Sequence, residues 1–481
     1  MVFSDLFFLF VFLPAFALCY LLAGFVDSKF LSSPLERSNT VKNSMLIVFS
    51  LIFYAWGEPI YVFLMLFSVL VNFFAGRVID KQDQKRKTAL VVGIVCNLLI
   101  LGTFKYAGFF AQTLTSLGLP VADPKIALPI GISFYTFQAI SYLVDVYRKE
   151  SPAQKNFYGL LLYISMFPQL IAGPIVRYNT VAQEIHNRRI TVQDFADGSY
   201  RFLIGLGKKV ILANQFSTIA DQFLGNGLAD LSTSGAWVGI TAFALQIFFD
   251  FSGYSDMAIG LGRCIGFHFN ENFNHPYCCN SITDFWRRWH ISLGSFFRDY
   301  VYIPLGGNRR HQSLNIMVVW FLTGMWHGAS WNFILWGVYF GVIVMLEKYT
   351  ILRWKERIPA FVLHIYSLLL VIIGWGIFYF EDFGKMQTFF QTFFGGTGKY
   401  SDLLSQTAIT DNFWLWVVAL VFCLPIYDWV NKCYHRIFAN HSNCGDVVAT
   451  ATRVLVSAVL LILSVALLVG ATNNAFIYTR F

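Results

Sequence analysis

The chain encodes an all-α polytopic membrane protein, and its composition, the blocks into which its apolar residues fall and its amino-terminal stretch each say so. Of 481 residues 56% are hydrophobic and 13% charged, against about 25% charged in an ordinary soluble domain, and the mean hydropathy is +0.57. Length alone would suggest several soluble domains. The apolar residues instead form blocks of roughly 20, the length a helix needs to cross a bilayer, so residues 1–481 read as one membrane domain. The stretch from Phe7 to Phe25 has no basic leading region and no small-residue cleavage site, and its first charge is Asp5. It reads as a retained span, not a removed signal peptide.

Taken in order, the apolar segments lie near 3–25, 44–57, 59–77, 88–110, 126–147, 157–176, 200–220, 235–262, 313–327, 331–347, 361–380, 413–430 and 454–472. Several are too short or too polar for a simple crossing. The loop Arg77, Lys81, Lys85, Arg86, Lys87 and the loop with Lys29, Arg37 and Lys42 are basic, which places both in the cytoplasm and the N-terminus outside. The same rule makes cytoplasmic loops of Arg148 to Lys155, Lys348 to Arg357 and Lys432 to Arg453, and puts the more acidic Glu381 to Asp411 outside. Continuing the alternation leaves the tail Asn473 to Phe481 external and the number of full crossings even. The rule fails between Arg177 and Arg189; Pro168 and Pro174 interrupt the preceding segment, so a re-entrant element is expected there.

The balance of 35 Lys plus Arg against 27 Asp plus Glu gives a net charge of +8. In a membrane protein this excess marks cytoplasmic loops and no nucleic acid partner is expected. Cys19, Cys96, Cys264, Cys278, Cys279, Cys423, Cys433 and Cys444 have neither paired spacing nor histidines at metal-ligand intervals, so neither a disulfide framework nor a metal site is expected.

Ionisable groups within membrane segments are costly and each is a candidate for function. In 235–262, Gln246, Asp250 and Tyr254 are spaced four apart on one helical stripe, with Ser252, Ser255 and Asp256 on another. They line a polar path or, alternatively, hold helices together by hydrogen bonds. Next, Asp284, Arg287 and Arg288 share a face of an amphipathic, partly inserted helix, with Trp286 and Trp289 as its interfacial apolar edge and His290, Arg298, Asp299, Gly306 and Gly307 following. The basic groups suit a phosphate-bearing donor or, equally, lipid headgroups. Third, Thr323-Gly324-Met325-Trp326-His327-Gly328-Ala329 ends an apolar helix. Its glycines allow a substrate or another backbone close to His327, whose neutral imidazole is either a general base or a structural hydrogen-bonding group.

Five motifs now stand in order: Leu128-Pro129-Ile130-Gly131-Ile132-Ser133-Phe134-Tyr135, Leu170-Ile171-Ala172-Gly173-Pro174, Phe249-Asp250-Phe251-Ser252-Gly253-Tyr254-Ser255-Asp256, Trp286-Arg287-Arg288-Trp289-His290 and Gly324-Met325-Trp326-His327-Gly328. Together they resemble the bacterial branch of the membrane-bound O-acyltransferase family, of the type of the alginate O-acetyltransferase membrane subunit, from residue 1 to about 350. The resemblance implies a ring of tilted and re-entrant helices around a central tunnel. It implies that His327 is the essential histidine and His290 the second motif histidine near the cytoplasmic side, catalytic, structural or donor-binding. Gln246, Asp250, Tyr254, Asp256, Asp284, Arg287, Arg288 and Trp326 are then tunnel or donor-binding candidates. The final Phe476-Ile477-Tyr478-Thr479-Arg480-Phe481 is similar to the tail of the small membrane peptide that accompanies the D-alanyl transfer protein of teichoic acid modification. That likeness makes Tyr478 an acyl relay; the other reading is an aromatic anchor at the interface.

The function so implied moves an acyl group, acetyl first, from a cytoplasmic thioester to an acceptor outside, an exopolysaccharide or cell-wall glycan. Acetyl-CoA is the expected donor substrate and no bound cofactor is expected; a D-alanyl carrier protein serving teichoic acid is the alternative. The sequence holds no Gly-x-Ser-x-Gly nucleophile elbow, and the resemblance points to an external partner of the serine esterase-like (SGNH) class. A multi-span transporter would show repeat symmetry and charged pairs in both halves, whereas the polar groups cluster between about 246 and 327. A non-catalytic glycan export scaffold would tolerate loss of His327.

Overall fold

The computed structural model describes residues 1–31, 38–81, 83–426, 429–430, 432–433, 442–470 and 476, and among them every regular element is helical, with no strand. Among the described residues seven helices are long and apolar enough to cross a membrane: Phe8–Leu31, Tyr61–Lys81, Asp83–Ser116, Thr233–Cys264, Trp331–Arg357, Ala360–Tyr379 and Val447–Val469. The pair Leu403–Thr410 and Phe413–Cys423, bent by 66°, makes an eighth if taken as one span. The protein is a multi-pass helical membrane protein.

The described chain falls into two compact units. The first is built mainly from residues 1–202 with 254–271. Its packing shows how helices associate where apolar burial offers no preference for protein over lipid: by close approach and by hydrogen bonds. A Cβ on Gly76 would stand 2.7 Å from the Tyr142 ring, and one on Gly93 2.5 Å from Leu143. Two helices therefore close onto Ile132–Tyr147. Between them Asn72 and Asn97 exchange amide hydrogen bonds of 3.0 and 2.8 Å. The buried Arg188 guanidinium donates to the Tyr20 hydroxyl, the Ile265 carbonyl and Asn43 Oδ1, tying three distant segments.

Two expected spans are shorter than their apolar runs. The segment near 126–147 becomes helical only at Ile132, because Pro129 and Ile130 lead into Gly131 at φ 78°, where a Cβ would strike the Leu170 carbonyl oxygen at 2.6 Å. The segment near 157–176 breaks into Phe157–Ser165 and Phe167–Leu170 at an extended Met166, ahead of Pro168, and continues as irregular chain. That break falls where the prolines placed it.

The second unit comprises 203–253 and most of 272–477. Its centre is the helix pair Gln312–His327 and Trp331–Tyr349. A Cβ on Gly337 would meet the Trp320 carbonyl oxygen at 2.4 Å, and one on Gly324 would meet the Phe333 carbonyl. The two backbones touch across a pair of glycines. The segment near 200–220 runs as Val192–Gly207, a π-helical turn Lys208–Ala213 and Asn214–Ala220. The segment near 413–430 stops at Cys423, just before Pro425.

This contact sets a test. Gly337→Ala should destabilise the protein by about 1–3 kcal/mol through overpacking, while Gly102→Ala, with nothing within 4 Å of the new carbon, should leave the thermal midpoint in detergent almost unchanged.

Candidate active site

The site is built on two short helices and the end of a long one, all in the second unit. Ile282–Arg288 starts at Ser281, whose Oγ accepts the Asp284 N–H at 2.9 Å. Its first N–H groups are answered by Glu347, a fully buried carboxylate that accepts from Ile282 N (2.6 Å), Thr283 N (2.8 Å) and Thr283 Oγ1 (2.7 Å). A carboxylate on a helix N-terminus satisfies orphan donors and meets the positive end of the helix dipole. Glu347 closes the apolar segment 331–347, and an acid at that place was the only sequence signal for it.

After seven residues the helix stops and Trp289 is extended. His290 then turns left-handed, at φ 45° and ψ 54°, and caps Ile291–Phe297. A non-glycine residue held there is strained and is retained only where its surroundings over-determine it. Asn272 does so. Its Oδ1 accepts the Ser292 N–H (3.2 Å) and hydroxyl (2.9 Å) and lies 3.1 Å from His290 Nδ1. Since a backbone N–H can only donate, Asn272 Oδ1 is the acceptor, so His290 Nδ1 carries its proton and the ring's lone pair is on Nε2.

His327 is the last residue of its helix and is 2% exposed, as is His290. Trp326 packs against both imidazoles, with ring centroids 5.5 Å from His290 and 5.0 Å from His327. Trp336 at 4.9 Å and Phe378 at 5.4 Å complete the box around His327, and Phe251 packs edge-on to His290 at 4.5 Å. The arrangement is a pair of buried imidazoles in an aromatic enclosure, suited to moving a proton away from water. The glycines beside His327 are used by protein: a Cβ on Gly328 would enter the Phe333 ring. They allow the neighbouring helix in.

The other candidates take separate places. Asp284 holds Arg288 at 3.0 Å, while Arg287 is exposed. Trp289 does not lie on an interfacial edge. It is buried against Phe285 and Trp375, because the chain turns at His290 and folds this end of the helix inward, while Trp286 is half-buried beside Trp320, Trp336 and Phe340. Gln246 is buried. Asp250 forms a buried 2.6 Å ion pair with Lys209, whose only sequence signal was a lysine inside an apolar segment. In the first unit, Tyr254 stacks on Phe3 at 4.7 Å, and Asp256 accepts from Arg201, which also clasps Glu271. Tyr478 lies outside the described residues. Among those described, no group of three or more His, Cys, Asp or Glu side chains is arranged to hold a metal ion.

Comparison with known proteins matches residues 48–382 to the membrane-bound O-acyltransferase family. The chain is 40% identical over 415 residues to the probable alginate O-acetylase AlgI of Pseudomonas aeruginosa, covering 84% of this chain and 77% of that protein. It is 33% identical over 368 residues to the peptidoglycan O-acetyltransferase of Helicobacter pylori (70% and 69% covered). To the teichoic acid D-alanyltransferase of Bacillus subtilis it is 27% identical over 271 residues (53% and 67%). His290, Trp326 and His327 all fall within the matched residues.

The buried ion pair generates a stability test. Asp250→Leu alone removes the carboxylate paired with buried Lys209 and should cost about 3–5 kcal/mol, whereas Asp250→Leu with Lys209→Met should recover most of the loss, as read by thermal unfolding in detergent.

Proposed function

The chain belongs to the membrane-bound O-acyltransferase family and is a membrane acyltransferase; from that premise we propose that it O-acetylates an extracytoplasmic polysaccharide, using acetyl-CoA from the cytoplasm. The observation that carries this reading is the His290–Trp326–His327 cluster, buried in aromatic walls inside the family-matched residues. Acetyl is favoured over D-alanyl because the relatives named for O-acetylation are 33–41% identical to this chain and those named for D-alanylation 27–28%. The protein sits in a bacterial inner membrane with both termini outside. An external serine esterase-like (SGNH) protein passes the acetyl group to the glycan.

In the proposed reaction the Tyr478 hydroxyl attacks the thioester carbonyl carbon while His327 takes the phenolic proton. The C–O bond forms, the C–S bond breaks, and the departing thiolate recovers the proton. A phenol is easier to deprotonate than an alcohol, with an ordinary pKa of about 10, and its ester is the better acyl donor for onward transfer. The end of the Gln312–His327 helix sets partial negative charge beside the ring, which favours the imidazolium formed. His290, fixed through Asn272, presents Nε2 on the donor side. Exposed Arg287 meets the donor's phosphates, while Arg288 is held by Asp284.

His327→Ala should lower ester on the secreted polymer and envelope by at least about 100-fold, the lower range for a positioned general base, with the protein still inserted in the membrane. Retained ester contradicts the base assignment. Tyr478→Phe should likewise abolish transfer; undiminished acetylation rules out the relay.

A further inference from the structure

Two residues of the helix Trp331–Tyr349, Asn332 and Trp336, are both 0% exposed, and each keeps one polar atom without a hydrogen-bond partner among the described residues: Oδ1 of Asn332 and Nε1 of Trp336. A polar group buried without a partner is costly, and beside a reaction site such a group points to a ligand that completes it. The two residues are four apart in sequence and share a helix face.

Both belong to the surroundings of His327. The Trp336 ring packs 4.9 Å from the imidazole, with Phe340 and Phe378 each 5.3 Å away. These rings offer an indole N–H only π-electrons, which are weak acceptors. Asn332 donates from Nδ2 to the Phe378 carbonyl at 3.0 Å, so the amide nitrogen faces that carbonyl and the oxygen is the end left over. The Phe378 ring is itself a wall of the His327 box. Aromatic walls with a few placed polar groups are the ordinary make-up of a small-molecule site.

One unpartnered acceptor and one unpartnered donor are complementary to a secondary amide, which has one N–H and one C=O. Acetyl-CoA carries such an amide two methylene groups from its thioester sulfur. With the thioester carbonyl at His327, Trp336 is the adjoining ring. We propose that Asn332 and Trp336 read this amide: the indole N–H donates to its carbonyl oxygen, and its N–H donates to Asn332 Oδ1. The pair selects thioesters that bear the amide over other activated acetyl groups. The phosphopantetheine arm of an acyl carrier protein has the same amide, so the recognised feature is the arm itself. The inference rests on the reading of His327 as the transfer point and adds the part of the donor recognised there.

The test uses the full chain in proteoliposomes, with the polysaccharide and external partner on the far side and ester on the polymer as the readout. Three small donors are compared by kcat/KM per folded molecule, after subtracting the His327→Ala rate: S-acetyl-N-acetylcysteamine, its analogue with an ester oxygen in place of the amide N–H, and S-pentyl thioacetate, which has methylenes throughout. In the parent, loss of the N–H should cost about 10- to 100-fold, the scale of one buried hydrogen bond, and loss of the carbonyl about as much again. Asn332→Leu should erase the preference for amide over ester and keep that for ester over pentyl; Trp336→Phe should do the reverse. Acetyl-CoA and an acetylated carrier protein, supplied in parallel, show which arm serves the parent, and its rate should fall in both variants. A variant that only packs badly slows all donors together; both preferences at parent values in Asn332→Leu and Trp336→Phe overturn the proposal. His327-dependent ester with no preference among the small donors in the parent overturns it as well, with the transfer point intact. If the parent forms ester from acetyl-CoA no faster than His327→Ala, the transfer-point reading fails and the amide recognition fails with it.

Discussion

Inside a bilayer no water is at hand to complete a hydrogen bond, so every polar group the chain buries must be answered by another part of the chain. Glu347 shows the rule in its simplest form. Its carboxylate, on the helix Trp331–Tyr349, accepts the first two N–H groups of Ile282–Arg288, and so fixes the short helix that leads to His290. Asn272 then answers His290 and Ser292 together, which holds the left-handed turn. Arg188 spends its donors on carbonyls, a phenol and an amide, and Lys209 meets Asp250. These ties join segments far apart in sequence. The site depends on them because two of them hold the backbone on which His290 sits.

Close approach of backbones is the second requirement, and it has a chemical consequence. Gly324 and Gly337 let two helices touch, which brings Trp336 to the His327 ring and closes the box with Phe378. An enclosure of this kind keeps water from competing for an activated acyl group and strengthens each electrostatic contact within it. The two buried imidazoles, His290 and His327, both pack against Trp326.

Much of the fold was legible in the chain itself. Block length predicted the spans, Pro168 and Pro174 predicted the break that Met166 opens, and ordered motifs pointed to the family. Local spacing was less reliable where a helix ended early. Trp286 and Trp289 looked like a lipid-facing edge because the pattern assumed a helix continuing past Arg288, whereas the chain turns at His290, buries Trp289 and leaves Trp286 half-buried. The stripe Gln246, Asp250, Tyr254 is real on the continuous helix Thr233–Cys264, yet Asp250 pairs with Lys209 and Tyr254 stacks on Phe3. Asp256 finds Arg201, 55 residues away. Such partners are chosen by tertiary packing between distant segments, and no periodicity within one segment encodes them.

In the proposed reaction an acyl group crosses to an acceptor while its donor stays behind, with the buried histidines at the transfer point. The most direct measurement uses oriented proteoliposomes and acetyl-CoA carrying one label on the acetyl group and a second on the adenine, supplied from the cytoplasmic side with polysaccharide and the external partner on the other. Acetyl label should appear bound as ester on the far side, and adenine label should stay where it was added. Both labels crossing together, or free acetate appearing without ester, would contradict it.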